Sequence, residues 1–476
     1  MNATREGVDD EGPPIEEHPS EAKLARRVAA QIEAEIAESG WPVGTSLGSE
    51  IELRQRFGVS RALLREAARL LEHHDVARMR RGPNGGLIVR APDAGSASRA
   101  MVIYLQYAGT SIDDLMQARM LLEPTAAGLA AQHIDEAGVA KLRDAFAAEY
   151  PEGRAWQRAD VARRRWAHEP LNLLLSELSG NPVLNLFVDV LTRLGNRYAY
   201  SAPRLDLALL QLAAERSHAQ RRDLIEAIVS GDAVGAHSEM NQYLRGVWVW
   251  MQENKPRPRS ARALEPGAGA SVTEQTAARI QDDIVRAGWP VGSALGTEAQ
   301  LLQKYGVGRE ALREAIRLLE HHSLVQTRRG RGGGLIVTRP NPQASIDAIT
   351  VNLRYRRVLD ADMVAVREPI DVSVVNRLAT RHGEPGLAEE LERIMACVGS
   401  RPMTFHSDLA ALAGNSVLSL FERIIVQTQS ASPRPAPTCE RAMSDHRQIV
   451  AAILAGDVGL AANRARRHLH GAGACW

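Results

Sequence analysis

GVSRALLREAARLLEHH, residues 58–74, returns as GVGREALREAIRLLEHH, residues 306–322. In the first stretch Leu64, Ala67, Ala68 and Leu71 fall on one face at i, i+3, i+4 and i+7, while Arg61 and Arg65 project one turn apart from another. That spacing predicts an amphipathic helix with a basic face. Burial constrains the apolar face of such a helix, but nothing in packing asks the exposed side to be preserved. Yet Arg61 corresponds to Arg309 and Arg65 to Arg313.

Sliding the sequence on itself by 248 positions aligns residues 41–90 with residues 289–338 without a gap, with 30 of 50 positions identical. Each copy is followed by a longer Ala/Leu-rich helical stretch in which landmarks persist. Arg119 and Arg367 keep the offset, SGNPVLNLF (residues 179–187) echoes AGNSVLSLF (residues 413–421), and LIEAIVSGD (residues 224–232) echoes IVAAILAGD (residues 449–457). The chain therefore reads as a duplication of order A-B-A′-B′. The expected boundaries are a disordered tail over residues 1–20, module A over 21–91, B over 92–251, a Pro/Gly/Ala-rich linker over 252–274, A′ over 275–339 and B′ over 340–470. A flexible linker of that length reaches roughly 25 Å.

Composition agrees with several helical domains. At 476 residues the chain exceeds one ordinary domain, and Ala, Leu and Arg favour helices. Three cysteines at unrelated spacings (Cys397, Cys439, Cys475) form neither a disulfide framework nor a metal knuckle, which suits a reducing cytosol. The acidic N-terminal segment lacks an apolar core, so neither a secretion signal nor a membrane partner is expected, and the expected location is cytoplasmic. A net charge of +1 gives no global sign of a nucleic-acid partner. Any basic surface must be local.

It is local to module A. A helix with Val28, Ile32 and Ile36 at four-residue steps stops near Gly40; Ser49-Glu50-Ile51-Glu52 and Thr297-Glu298-Ala299-Gln300 fit capping boxes opening a second helix, which Gly58 and Gly306 end. The basic helix follows, and then VARMRRGPNGGLIVR and LVQTRRGRGGGLIVT each set a Gly-rich turn between two short β-type runs. Helix, capped helix, turn, basic helix and basic hairpin predict a winged helix-turn-helix. Between Arg54 and Arg90 there are nine arginines against three acidic residues, a concentration suited to phosphate. The expected fold class is mostly α: two winged helix-turn-helix domains, each with a small β-hairpin wing, alternating with two all-α helical-bundle domains.

LGSEIELRQRFGVSRALLREAARLLEHHDVARMRRGPNGGLIV (residues 47–89) resembles the DNA-binding domain of GntR-family bacterial transcription regulators, and the helical modules resemble the effector domains of their FadR-like subfamily. The resemblance implies double-stranded DNA and a small-molecule effector as partners. It implies that Ser60, Arg61, Ala62, Arg65, Arg81 and Gly82 face DNA, and Gly308, Arg309, Glu310, Arg313, Arg329 and Gly330 in the second copy. Arginine can read guanine with two hydrogen bonds. The family's Leu-Pro-Ser-Glu-Arg is Leu47-Gly48-Ser49-Glu50-Ile51 here and Leu295-Gly296-Thr297-Glu298-Ala299 in the second copy, so one customary arginine is absent from both heads. The competing reading makes the basic face a solvated surface pairing with neighbours such as Glu66 and Glu314.

A single head reads only a few base pairs, and such regulators dimerise to place two heads about 34 Å apart on the duplex. This chain carries both heads, which suggests a covalent pseudo-dimer reading one imperfect palindrome. Ala62 against Glu310, Ser60 against Gly308 and Pro83 against Arg331 predict unequal half-sites. Whether two chains associate further into a homodimer with four heads is open.

In metal-binding FadR-like regulators the helical module holds a cation through an Asp and a His one turn apart and two later histidines. By that resemblance His406, His446 and His468 are candidate ligands for Zn²⁺ or another divalent transition metal, in the second helical domain only. His446 lies about ten residues before the break at Gly456-Asp457 and His468 about eleven after it, so a helical hairpin would bring them level. Pro402 stands in the aspartate's place, and the first half reads His168, Asn172, Arg221 and Tyr243, where the arginine would repel a cation. The competing reading leaves three hydrogen-bonded histidines in a vestigial cavity. Arg119 and Arg367 are candidates to face an anionic effector, against a surface ion pair. Two other functions compete: a metal-dependent hydrolase using the three histidines, which lacks a motif-placed general base, and a scaffold that binds no DNA.

Overall fold

The computed structural model describes residues 21–80, 82, 85–149, 169–200, 207–253, 271–328, 330, 333–398, 404–430 and 440–471. The chain divides into two compact units, residues 1–92 and 93–476.

The first unit is the first head: α1 (Glu21–Glu38), α2 (Glu50–Phe57), α3 (Arg61–His73), β1 (Ala77–Arg80) and β2 (Gly86–Val89). α1 packs on α3, burying Val28, Ile32 and Ile36 together with Leu64, Ala67 and Leu71. Each fully buried Leu or Ile contributes roughly 1.5–3 kcal/mol, so these rows fix the orientation of α3. Ser49 opens α2 with the expected capping box to Glu52, and Gly58 closes it at φ 63°, its N–H bonded to the Arg54 carbonyl. β1 and β2 form the wing, in register from Ala77 opposite Val89 to Arg80 opposite Gly86. Gly48 adopts φ 126°, which a proline ring excludes. A Cβ on Gly86 would meet the Gly48 carbonyl oxygen at 2.5 Å. The departure from Leu-Pro at this point therefore belongs to a loop that presses directly on the wing.

The second unit begins with α4 (Ala94–Tyr107), α5 (Ile112–His133), α6 (Glu136–Glu149), α7 (Glu169–Leu178), α8 (Pro182–Tyr200), α9 (Leu207–Val229) and α10 (Ala233–Glu253). The second head follows as α11 (Val272–Arg286), β3 (Ala294–Gly296), α12 (Glu298–Tyr305), α13 (Arg309–His321), β4 (Val325–Arg328) and β5 (Gly334–Val337), with sheet order β3-β5-β4. In the first head a single bridge, Ser46 to Ile88, stands where β3 pairs. The last domain is α14 (Pro342–Tyr355), α15 (Asp360–Thr380), α16 (Leu387–Val398), α17 (Phe405–Ala413), α18 (Ser416–Ser430), α19 (Glu440–Leu454) and α20 (Val458–Gly471). α10 runs to Glu253, and Ser271 caps α11 through a box with Glu274, so both ends of the stretch read from sequence as linker are helical.

The two helical domains meet through the same residues on both sides. Phe187 of α8 stacks on Phe421 of α18, centroids 3.9 Å apart at 12°. Asn181 caps α8 by accepting from the Val183 and Leu184 N–H groups, and its side-chain amide donates to the Asp362 carbonyl at 3.0 Å. Asn415 caps α18 in the same way and donates to the Asp114 carbonyl at 3.1 Å. Asp114 and Asp362 are themselves 248 residues apart. This reciprocity, in which i meets j and j′ meets i′, is the mark of an isologous interface. One apolar core runs through it, joining Leu184, Leu191 and Leu194 to Ile349, Val366 and Ile424, with α4 lying on α14.

The second head docks on α4, a helix of the first half. Ile103 enters the head's core, Tyr107 meets Trp289 edge-on at 5.4 Å, and Gln281 donates to Gln106 at 3.4 Å.

Phe187→Ala and Phe421→Ala are each expected to destabilise the second unit by about 3–5 kcal/mol. In chemical denaturation the double variant should lose clearly less than the sum, because the second truncation removes a ring whose partner is already gone. Strict additivity would contradict the shared seam.

Candidate functional sites

The heads present their polar faces outward. Ser60 caps α3, its hydroxyl accepting from the Leu63 N–H, whereas Gly308 opens α13 without a side-chain cap. Arg61 donates from Nε to Glu50 Oε1 at 2.6 Å and Arg65 Nε lies 3.5 Å from the same oxygen, both arginines remaining more than half exposed. The Arg61 hydrogen bond is the main reason the Glu50 carboxyl is held below its ordinary range. In the second head Arg313 donates to Glu298 at 3.2 Å, and Arg309 and Glu310 are exposed at the helix start. Glu66 and Glu314 pair instead with Arg69 and Arg317. Thus α2 and α12, not the neighbouring turn, hold arginines of the basic face. Ala62 is exposed, and so are Gly82 and Gly330, which turn the wings at φ 118° and 101°. Arg81 and Arg329 lie outside the described residues, with Pro83 and Arg331.

In the second helical domain α17, α19 and α20 bring the three predicted histidines together, all at 4% exposure or less. His406 Nε2 and His446 Nε2 lie 3.2 and 3.3 Å from His468 Nε2. Two nitrogens bound at Zn–N distances around a tetrahedral ion are separated by about 3.3 Å. Carboxylates stand beside two of the rings: Asp371 Oδ2 is 2.9 Å from His406 Nδ1, and Asp445 Oδ2 is hydrogen-bonded to His468 Nδ1 at 3.3 Å. A proton on His468 Nδ1 facing Asp445 leaves the Nε2 lone pair of that ring directed at the other two imidazoles, an approach that a cation between them relieves. The donor set thus fits a divalent transition metal. Burial, reinforced by neighbouring cations, pushes all three histidines down, His446 to about 2, which keeps the neutral, ligating form.

Behind this group sits Arg367. Its Nε donates to Glu422 Oε1 at 2.9 Å and lies 3.5 Å from Asp371, while Nη1 donates to Gln429 at 2.7 Å. Burial raises Glu422 to about 8, with Asp371 adding to the rise and Arg367 opposing it; burial likewise raises Asp371 to about 6. Arg119 in the first domain donates to Glu123 at 2.5 and 3.1 Å. Both arginines form buried ion pairs, which corrects the surface pair considered from the sequence. Asp371, Glu422 and Asp445 were missed by motif reading. Asp371 was findable, since it follows Arg367 by four residues as Glu123 follows Arg119.

The first domain carries a different group at the corresponding positions. Asn172 donates to Glu123 at 3.2 Å, and Arg221 Nη2 donates to Asn172 Oδ1 at 2.7 Å and to the Tyr243 hydroxyl at 3.1 Å. The guanidinium also lies over the Tyr243 ring, 4.7 Å from its centroid. His168 lies outside the described residues.

Comparison with known proteins agrees with this anatomy. The profile described as "Bacterial regulatory proteins, gntR family" matches residues 24–84 and 272–334, and that of the FCD domain matches residues 114–246 and 362–471. An HTH-type transcriptional regulator of Mycobacterium tuberculosis, Mce2R, is 27% identical over 213 residues, covering 41% of this chain and 87% of its own length. A putative L-lactate dehydrogenase operon regulatory protein of Escherichia coli is 28% identical over 249 residues, 50% of this chain and 91% of its own. A solved structure, Streptococcus agalactiae GntR, aligns over 48% of this chain and 99% of its own at 21% identity and a TM-score of 0.34. The two family profiles and the two regulators define a transcriptional regulator with DNA-binding and effector-binding domains, each present twice. The chain belongs to the gntR family of bacterial regulatory proteins, and relatives nearly complete in length occupy about half of it. Among the described residues, no helix is long and apolar enough to cross a membrane.

The depressed histidines make acid a stress on the metal-free fold. Unfolded histidine takes a proton near pH 6.5 and folded His446 only near 2, so the stability it contributes is present above 6.5 and is lost as pH falls through that window. The expected cost is about 1.4 kcal/mol per pH unit for each such histidine. The melting midpoint of metal-free protein should therefore fall between pH 7 and 5, and His446→Gln should flatten the fall. An unchanged slope in that variant would contradict the assignment.

Proposed function

We propose that the chain acts as a covalent pseudo-dimer: both heads of one polypeptide read one imperfect palindrome, and a small-molecule effector gates their engagement. The observation that carries this reading is the reciprocal seam of Phe187 with Phe421 and of Asn181 and Asn415 with the opposite half, since the helical domains of one chain meet as two identical subunits would. In this reading Ser60, Arg61, Ala62, Arg65, Arg81 and Gly82 face one half-site, and Gly308, Arg309, Glu310, Arg313, Arg329 and Gly330 face the other. Glu310 can accept from cytosine N4 where Ala62 can only touch a thymine methyl, so the half-sites differ.

In this reading His406, His446 and His468 would hold a divalent transition metal, and the effector is an organic acid. When bound, the metal supplies a fixed positive charge for the acid. The ordering of α17, α19 and α20 that follows reaches α18 and the seam, and α4 passes it to the docked second head through Tyr107 and Trp289. The effector thereby shifts the population able to span both half-sites.

Arg61→Ala and Arg309→Ala are each expected to weaken binding to a selected operator by about 1–3 kcal/mol, each relaxing sequence preference in one half-site. The double variant should retain only salt-sensitive, non-specific binding. Fluorescence anisotropy across a salt series separates these outcomes, and unchanged operator affinity in the double variant would sink the reading. Symmetrised operators test the inequality of the heads: equal affinity for both symmetric versions would contradict it.

A further inference from the structure

The two helical domains place different chemistry at the same point of the fold. Asn172, Arg221 and Tyr243 correspond to His406, His446 and His468, and Glu123 corresponds to Asp371. The connectivity around the point is also kept. Glu123 accepts from Asn172 at 3.2 Å, and Asp371 lies 2.9 Å from His406 at the corresponding place. In the second domain three imidazole nitrogens converge within 4.8 Å of one another. In the first domain a single nitrogen, Arg221 Nη2, lies within hydrogen-bond distance of both Asn172 Oδ1 and Tyr243 OH, the counterparts of two of the histidines. Arg221 is 1% exposed, among the most deeply buried large side chains of the chain.

A fully buried arginine is costly unless neighbouring acceptors take its N–H groups. Here its partners include an amide oxygen, a phenol and an aromatic face, which converge on one cation. We propose that the Arg221 guanidinium is a covalently attached stand-in for the metal: it fixes the first domain in the arrangement that the second domain reaches only with a bound ion. The first domain then takes no metal, responds to no chelator, and serves as the constant half against which the second domain switches. This rests on the proposed metal site of the second domain for its regulatory meaning, but its structural content concerns the first domain alone.

The test is made in the full-length chain carrying His406→Ala, a residue common to both candidate metal groups of the second domain, so that a strong site gained on top of it lies in the first domain. Asn172→His, Arg221→His and Tyr243→His together should create one Ni²⁺ site per chain, read by calorimetric titration and by elemental analysis after dialysis, where the His406→Ala parent shows none. A folded chain that gains no site overturns the proposal, whatever the wild-type chain does with metal. Should the combined variant not fold, Arg221→Lys and Arg221→Met decide the matter in metal-free buffer. Lysine keeps a cation at the point, so the methionine chain should melt about 5 °C or more below the lysine chain. Equal midpoints would overturn the proposal.

Discussion

The architecture hangs on a seam that the chain makes with itself. At its centre two phenylalanines lie face to face, and flanking them two asparagines each do double duty, capping a helix of one half and donating to a carbonyl of the other. A helix cap alone contributes on the order of 1 kcal/mol. The reciprocal contacts add orientation, because an amide that must satisfy its own helix and a carbonyl in the opposite half leaves little freedom for the halves to slide. Apolar burial around the pair then closes one core in place of two. In a dimer of separate chains such a seam forms only above a threshold concentration; on one polypeptide it forms at any dilution.

Fusion also changes what evolution is able to vary. Two identical subunits must carry identical heads and identical effector sites. Here the basic helix keeps its arginines in both copies while its capping residue and its second position differ, and one helical domain gathers imidazoles where the other gathers an amide, a guanidinium and a phenol. The differences fall where a partner molecule would be read. The seam and the apolar faces, which only need to pack, stay alike.

Much of this was legible in residue order, and the limits are instructive. The apolar faces of α1 and α3, both capping boxes of the second helices, the closing glycines and the hairpin wings follow from local rules and appear where periodicity puts them. The start of α11 was also readable, since Ser271 and Glu274 form the same signature that was recognised at Ser49, but the Gly- and Ala-rich context masked it. The echo of SGNPV in AGNSV was visible as a landmark. Its role was not, because the carbonyls that the asparagines reach lie 181 and 301 residues away. The three histidines were found by resemblance, while Asp371 behind them went unremarked despite keeping the spacing from arginine seen in the first half. Glu422 directly follows the AGNSVLSLF landmark, but its counterpart in the first half is Val188, so the repeat gave no signal for it.

The central claim is that one molecule suffices for two grooves. The most direct measurement is the mass of the complex formed on a duplex bearing one selected operator, taken together with its hydroxyl-radical footprint at concentrations where the operator is just saturated. The account predicts one chain of 51.9 kDa per duplex, protecting two patches about one helical turn apart. Two chains per operator with one patch from each, or a single protected patch from one chain, would contradict it.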